Sequence, residues 1–142
     1  MDKIEFYQDS VKLILDIQAS DGSIKWEKDA KLDPWDHVES AMALSVAGKI
    51  DEAKKAYEWM QSNQEEVGGW FSEYKLGSPS KKRIETNFAA YICVGIWHFY
   101  LITKDKKFLE KYFPVLEQAM QFVISMQTQH GDILWALNEK GS

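Results

Sequence analysis

Gln18-Ala19-Ser20-Asp21-Gly22-Ser23-Ile24-Lys25-Trp26 and Gln127-Thr128-Gln129-His130-Gly131-Asp132-Ile133-Leu134-Trp135 carry one phrase: a glutamine, a glycine turn, an isoleucine, a tryptophan. A third copy with different spacing runs from Gln61 or Gln64 through Gly68-Gly69 to Trp70. Each copy closes an apolar, helix-like stretch. Glycine supplies the left-handed residue that ends a helix, glutamine offers amide donors and a carbonyl to the freed backbone groups, and tryptophan covers the corner. The recurrence predicts a helical repeat protein whose junctions are built alike.

Outward from the junctions, periodicity predicts five helices. The first spans about residues 4–19, with Phe6, Val11, Leu13, Ile14 and Ile17 at helical spacing. The second opens at Asp33-Pro34-Trp35-Asp36, where Asp33 can cap, Pro34 suits the first helical position and Asp36 complements the dipole, and it ends at Gly48. The third, about 51–64, sets Ala53, Ala56, Tyr57 and Met60 against a charged opposite face. The fourth, about 88–102, is apolar nearly all round and therefore central; it is too short to span a bilayer. The fifth, about 107–127, contains Pro114, which predicts a break near Tyr112. The order is outer, inner, outer, inner, outer, a curved double layer with almost no strand, in which the loops entering the inner helices gather at one end.

Composition narrows the function. With 142 residues, 45% of them hydrophobic, the chain suits one core and shows no sign of disorder. Its net charge of -5 and single short basic cluster, Lys81-Lys82-Arg83, exclude a nucleic-acid footprint. Cys93, the lone cysteine, lies in an apolar run and reads as a buried free thiol. The charged start Met1-Asp2-Lys3-Ile4-Glu5-Phe6 lacks a signal-peptide core, so a cytoplasmic protein is expected.

The junctions Gln18 to Trp26 and Gln127 to Trp135 resemble the glutamine-tryptophan repeats of terpene cyclases. The segments Asp33-Pro34-Trp35-Asp36-His37-Val38-Glu39-Ser40-Ala41-Met42-Ala43-Leu44 and Glu85-Thr86-Asn87-Phe88-Ala89-Ala90-Tyr91 are similar to bacterial prenyltransferase-like proteins. The resemblance implies an α/α-toroid of the prenyltransferase and terpene cyclase kind, with six-hairpin glycosidases as architectural cousins. It implies an all-α fold forming part of an (α/α)6 toroid, with residues 1–142 as a single partial domain. The chain departs from the family in lacking an Asp-x-Asp-Asp run and a zinc-ligand set, so no metal and no cofactor is expected. Six hairpins need roughly 300 residues, and this chain holds about two and a half. A fragment of a larger toroid is expected, with an apolar patch that favours self-association.

Asp36 and Glu39, three apart on one helix face, are the candidate catalytic pair, able to act as acid and base on a sugar or to hold a carbocation. Helix capping alone would account for Asp33 and Asp36. Glu39 is different, because a carboxylate in an otherwise apolar helix needs a partner or a polar cavity. Trp35, Glu85, Asn87 and Tyr91 are the candidate substrate-binding residues, although Thr86 or Asn87 would also serve as a helix cap. His37 and Glu39 diverge on a helix and make no metal pair; His98 reads as a packed core histidine and His130 as a turn residue. Three functions follow: a toroid binding an isoprenoid in a central cavity, a carbohydrate-active six-hairpin toroid, or a non-enzymatic helical scaffold. The first is the leading expectation, carried by the resemblance.

Overall fold

The computed structural model describes residues 7–138 and contains five helices: α1 (Gln8–Ile17), α2 (Pro34–Val46), α3 (Ile50–Ser62), α4 (Thr86–Thr103) and α5 (Lys106–Ser125). Residues 4–6 of the first predicted helix lie outside the described ones. As expected from its first turn, α2 is capped by Asp33, whose Oδ1 accepts from the Asp36 N–H at 2.9 Å, with Pro34 following. α5 runs unbroken through Pro114, contrary to the expected break near Tyr112. Pro114 and Glu110, whose carbonyl loses its helical partner to the proline ring, are both exposed, so water can satisfy that carbonyl.

α2 packs against α4, α3 packs on α2, and α5 packs on α4. The near-continuous apolarity of α4 has its reason here, since this helix is flanked on two sides. Gly95 permits the close approach: a Cβ at that position would press on Val38 of α2 and the Tyr57 ring of α3. Tyr57 in turn meets Phe99, Phe108 and Tyr112 edge-on at centroid distances of 5.8, 5.7 and 6.3 Å, joining both hairpins in one core.

The three junctions are built alike, and the middle one uses Gln64. In each, the residue after the glutamine donates its N–H across the turn: Ala19 to Ser23, Glu65 to Gly69, Thr128 to Asp132, at 2.8–2.9 Å. In each, the glutamine Nε2 donates to the carbonyl of the glycine four residues on: Gly22, Gly68 and Gly131. Those glycines hold φ of +90°, +101° and +92°. The junctions share one end of the molecule. Trp26 bonds Asp33 at the start of α2, Leu32 pairs with Tyr74 beyond the second junction, and Thr86 at the start of α4 bonds the Trp135 carbonyl.

The expectation of an all-α chain with almost no strand is corrected at this end. β1 (Phe71–Lys75), β2 (Ser78–Glu85) and β3 (Ala136–Leu137) form an antiparallel sheet in that order. Its hairpin turns at Leu76 and Gly77, with φ of 50° and 74°, and a left-handed leucine is not a turn residue that sequence rules look for. Pro79 and the basic run 81–83 offer no strand signal, and all but the half-buried Arg83 are exposed.

His37 ties the first junction to both helices of its hairpin. Its Nδ1 accepts from the Ile24 N–H at 3.1 Å and its Nε2 donates to the Ala56 carbonyl at 2.9 Å, with no exposed surface. Burial pushes the imidazole pKa down from 6.5 to about 4. The unfolded chain therefore takes up a proton below about pH 6.5 that the folded chain refuses until about pH 4. The contribution to stability is complete above pH 6.5 and falls by about 3 kcal/mol as the pH drops to 4. Urea unfolding at pH 7.5 and 4.5 should show this loss, and His37→Gln should show a shallower one; equal losses in both proteins would separate His37 from the acid instability.

Candidate functional site

The carboxylates on the first turns of α2 come together with aromatic side chains from α2, α4 and the first junction. Glu39 Oε1 accepts from the Trp35 indole at 2.9 Å and from the Tyr91 hydroxyl at 3.1 Å. Trp35 and Tyr91 stack, with centroids 3.8 Å apart and planes 8° from parallel. A tryptophan four residues before a glutamate on one helix and a tyrosine on the neighbouring helix thus form one rigid unit. Glu39 is exposed and bonded to these two donors, so its apolar helix asks for no buried ion pair.

Asp36 lies one turn before Glu39. Its carboxyl is pushed up from the usual aspartate range, first by partial burial, then by the charge of Asp33 and its hydrogen bond, then by the charge of Glu39. Asp33 is fixed by two tasks: Oδ1 caps α2, and Oδ2 accepts from the Trp26 indole at 2.8 Å. Asp36, Glu39 and Trp26 line a cleft of about 620 Å³ whose other wall is Leu13, Ile14 and Ile17 of α1. One wall is acidic and aromatic, the other aliphatic. A carboxyl whose protonated form is favoured by burial and by neighbouring carboxylates, set beside tryptophans, has the chemistry to deliver a proton to a leaving oxygen.

The remaining predicted residues lie elsewhere. Glu85 is buried and tied to Arg83 by contacts of 2.6 and 3.1 Å, and Arg83 lies over the exposed Trp135 ring at 4.4 Å. Glu85 is thus engaged by Arg83 at the β2 end, away from the Asp36–Glu39 cleft. Asn87 is exposed on the first turn of α4, and no contact joins it to Glu39 among the described residues. Neither Thr86 nor Asn87 caps α4: Glu85 holds the cap position without a side-chain bond, and Thr86 Oγ1 donates to the carbonyls at Leu134 and Trp135. Cys93 is half-buried, its thiol pushed up by burial, as suits a small apolar group.

Two features escaped sequence reasoning. The Lys31 ammonium sits 3.7 Å from the Trp26 ring centroid and 3.7 Å from Glu73, which also pairs with Lys75 and Lys81. Hydrogen bonding to Lys81 is the largest cause holding the Glu73 carboxylate down at about 2. This network fastens the β1–β2 hairpin to the rim of the cleft, and only the unforeseen sheet brings its members together.

The relatives found for this chain are carbohydrate-active proteins. The chain is 39% identical over 132 residues to the MMP endo-(1,4)-3-O-methyl-alpha-D-mannosidase of Mycolicibacterium hassiacum, matching 93% of this chain and 37% of that protein's length. In fold it is similar to a sugar epimerase from a ruminal bacterium, at TM-score 0.70 and 18% identity over 99% of this chain and 38% of the other. The cellobiose 2-epimerase of Bacillus thermoamylovorans gives TM-score 0.71 and 17% identity, over 98% of this chain and 40% of the other. A family 8 endoglucanase of Klebsiella pneumoniae gives 0.65 and 11%, over 82% and 38%. The toroid expectation therefore stands at the level of fold, and carbohydrate-active relatives replace the prenyltransferase and terpene cyclase resemblance. Among the described residues no helix is long and apolar enough to cross a membrane. Residues 31–142 match the model of the glycosyl hydrolase family 95 catalytic domain, and the chain belongs to that family.

Proposed function

We propose that this chain supplies the acid side of a glycoside-cleaving site, with Asp36 as the group that protonates the departing glycosidic oxygen. The observation that carries this reading is the raised Asp36 carboxyl in a cleft flanked by Trp26 and Glu39. Glu39 acts beside it, its negative charge favouring the protonated form of Asp36 and its Oε1 holding Trp35 and Tyr91 in place. Tryptophan faces suit the apolar faces of sugar rings, and the aliphatic wall of α1 suits a substrate with apolar substituents. The substrate class that fits best is a mannoside chain, carried over from the 39% identical relative. Epimerisation at a sugar carbon needs a base that takes up a C–H proton; the imidazole next to Asp36 on α2, His37, is buried with both nitrogens bonded to backbone groups, which favours hydrolysis.

The test incubates the complete gene product with (1,4)-linked mannosides, with and without 3-O-methyl groups, and with cellobiose. New reducing ends from the mannosides support the reading. A C2 epimer of cellobiose as the product, or no turnover of any mannoside, overturns it.

A further inference from the structure

The tryptophans of the three junctions have different fates. Trp70 is fully buried, its indole N–H donating to the Met60 carbonyl at 2.7 Å. Trp26 and Trp135 stand out of the core, 53% and 60% exposed. Each has a cation against its ring and a buried glutamate behind the cation. The Lys31 ammonium, 3.7 Å from the Trp26 centroid, pairs with Glu73, and the Arg83 guanidinium, 4.4 Å from the Trp135 centroid, pairs with Glu85. Both glutamates are 5% exposed. A charge anchored in this way holds the ring it touches and covers one face of it.

The backbone of Trp135 is fixed as well. Its carbonyl accepts from the Thr86 N–H and from Thr86 Oγ1, both at 2.9 Å, and the next residue, Ala136, pairs with Glu85 in the sheet. The indole N–H distinguishes the two rings. That of Trp26 is taken by Asp33, whereas that of Trp135 has no partner among the described residues. Trp135 thus combines an open aromatic face, a free donor at its edge and a rigid seat, and its side chain has no packing task in the core. These features suit a pyranose, whose C–H face lies on an aromatic ring while its hydroxyls accept from donors at the edge. One sheet joins the two rings: Glu73 lies on β1 and Glu85 on β2, and Lys81 of β2 pairs with Glu73 at 3.0 Å.

We propose that Trp135 is a second sugar-binding platform, outside the cleft, which takes one pyranose ring of a glycan chain on its open face and a hydroxyl of that ring on its indole N–H. The ligand is a glycan long enough to reach from Trp26 in the cleft across the sheet to Trp135. The proposal rests on the sugar reading of the cleft and adds to it a dependence on chain length.

The experiment measures binding to the complete gene product carrying Asp36→Asn, so that the glycan is not consumed. A (1,4)-linked mannose disaccharide and a long oligomer of the same linkage are titrated by calorimetry. Adding Trp135→Ala should cut the preference for the long oligomer over the disaccharide about 3–10-fold, the range of one aromatic contact. Trp135→Phe, which keeps a stacking face, should retain more of that preference than Trp135→Ala. The Trp135 indole N–H resonance should shift with the long oligomer and not with the disaccharide, a readout that needs no substitution at the platform. An undiminished preference in Trp135→Ala overturns the platform and leaves the sugar reading standing. So does a Trp135→Phe protein no better than Trp135→Ala, or an indole signal that ignores the long oligomer. Failure of both mannosides to bind would sink the sugar reading and the platform together.

Discussion

Asp36→Asn should lower turnover of the complete gene product about 10²–10⁴-fold, the range over which a positioned general acid contributes, while leaving the fold intact. Asparagine keeps the shape of the side chain and cannot deliver a proton. Stability should stay level or rise slightly, because the substitution removes a charge that Asp33 and Glu39 disfavour. Lost turnover with retained stability separates a working carboxyl from a structural one. Glu39→Gln supplies the companion measurement. Removing the Glu39 charge should bring the Asp36 carboxyl down, so its protonated form is lost at lower pH and the alkaline limb of the rate profile moves to lower pH. A profile that keeps its limb in Glu39→Gln, or an Asp36→Asn protein with full turnover, would return this pair to helix capping.

That pair was legible because helical spacing is a local property. Two carboxylates three apart on a capped helix share a face whatever the rest of the chain does. The stack of Trp35 on Tyr91 was not legible as a contact, since it depends on the rotation of α2 against α4, which residues such as Gly95 and Val38 decide by packing. The pairing of Arg83 with Glu85 was hidden for a related reason: two residues apart, they share a face only because residues 78–85 form a strand, which the sequence reading did not expect. The sheet itself hid behind a left-handed leucine and a polar strand. Strand signals are alternation and β-branched or aromatic side chains, and residues 78–83 offer neither. The helices were legible because amphipathic periodicity records burial, as in the one-sided α3; the all-round apolar α4 is flanked by α2 and α5 and still exposes Val94, Trp97 and Leu101.

Gly68→Ala should destabilise the chain by about 3–5 kcal/mol, combining a left-handed backbone strain with an overpacked contact that cannot relax. The added methyl would fall on the Gln118 carbonyl, a backbone atom inside α5, so relief requires moving a helix that also carries Phe122 and Tyr112 of the core. Gly22→Ala should behave alike, because its methyl would fall on the Lys55 carbonyl of α3. Gly48 and Gly131 are the internal controls. Both hold positive φ, at 74° and 92°, and neither would place a Cβ within 4 Å of a neighbouring element. Their alanine variants in the 142-residue chain should lose only the conformational part, about 1 kcal/mol. Chemical unfolding of the four variants separates strain from docking. A common loss at all four positions would mean that the glycines serve turn geometry alone. A loss two or more kcal/mol larger at Gly22 and Gly68 would mean that the repeat is assembled by seating each outer helix on the junction before it.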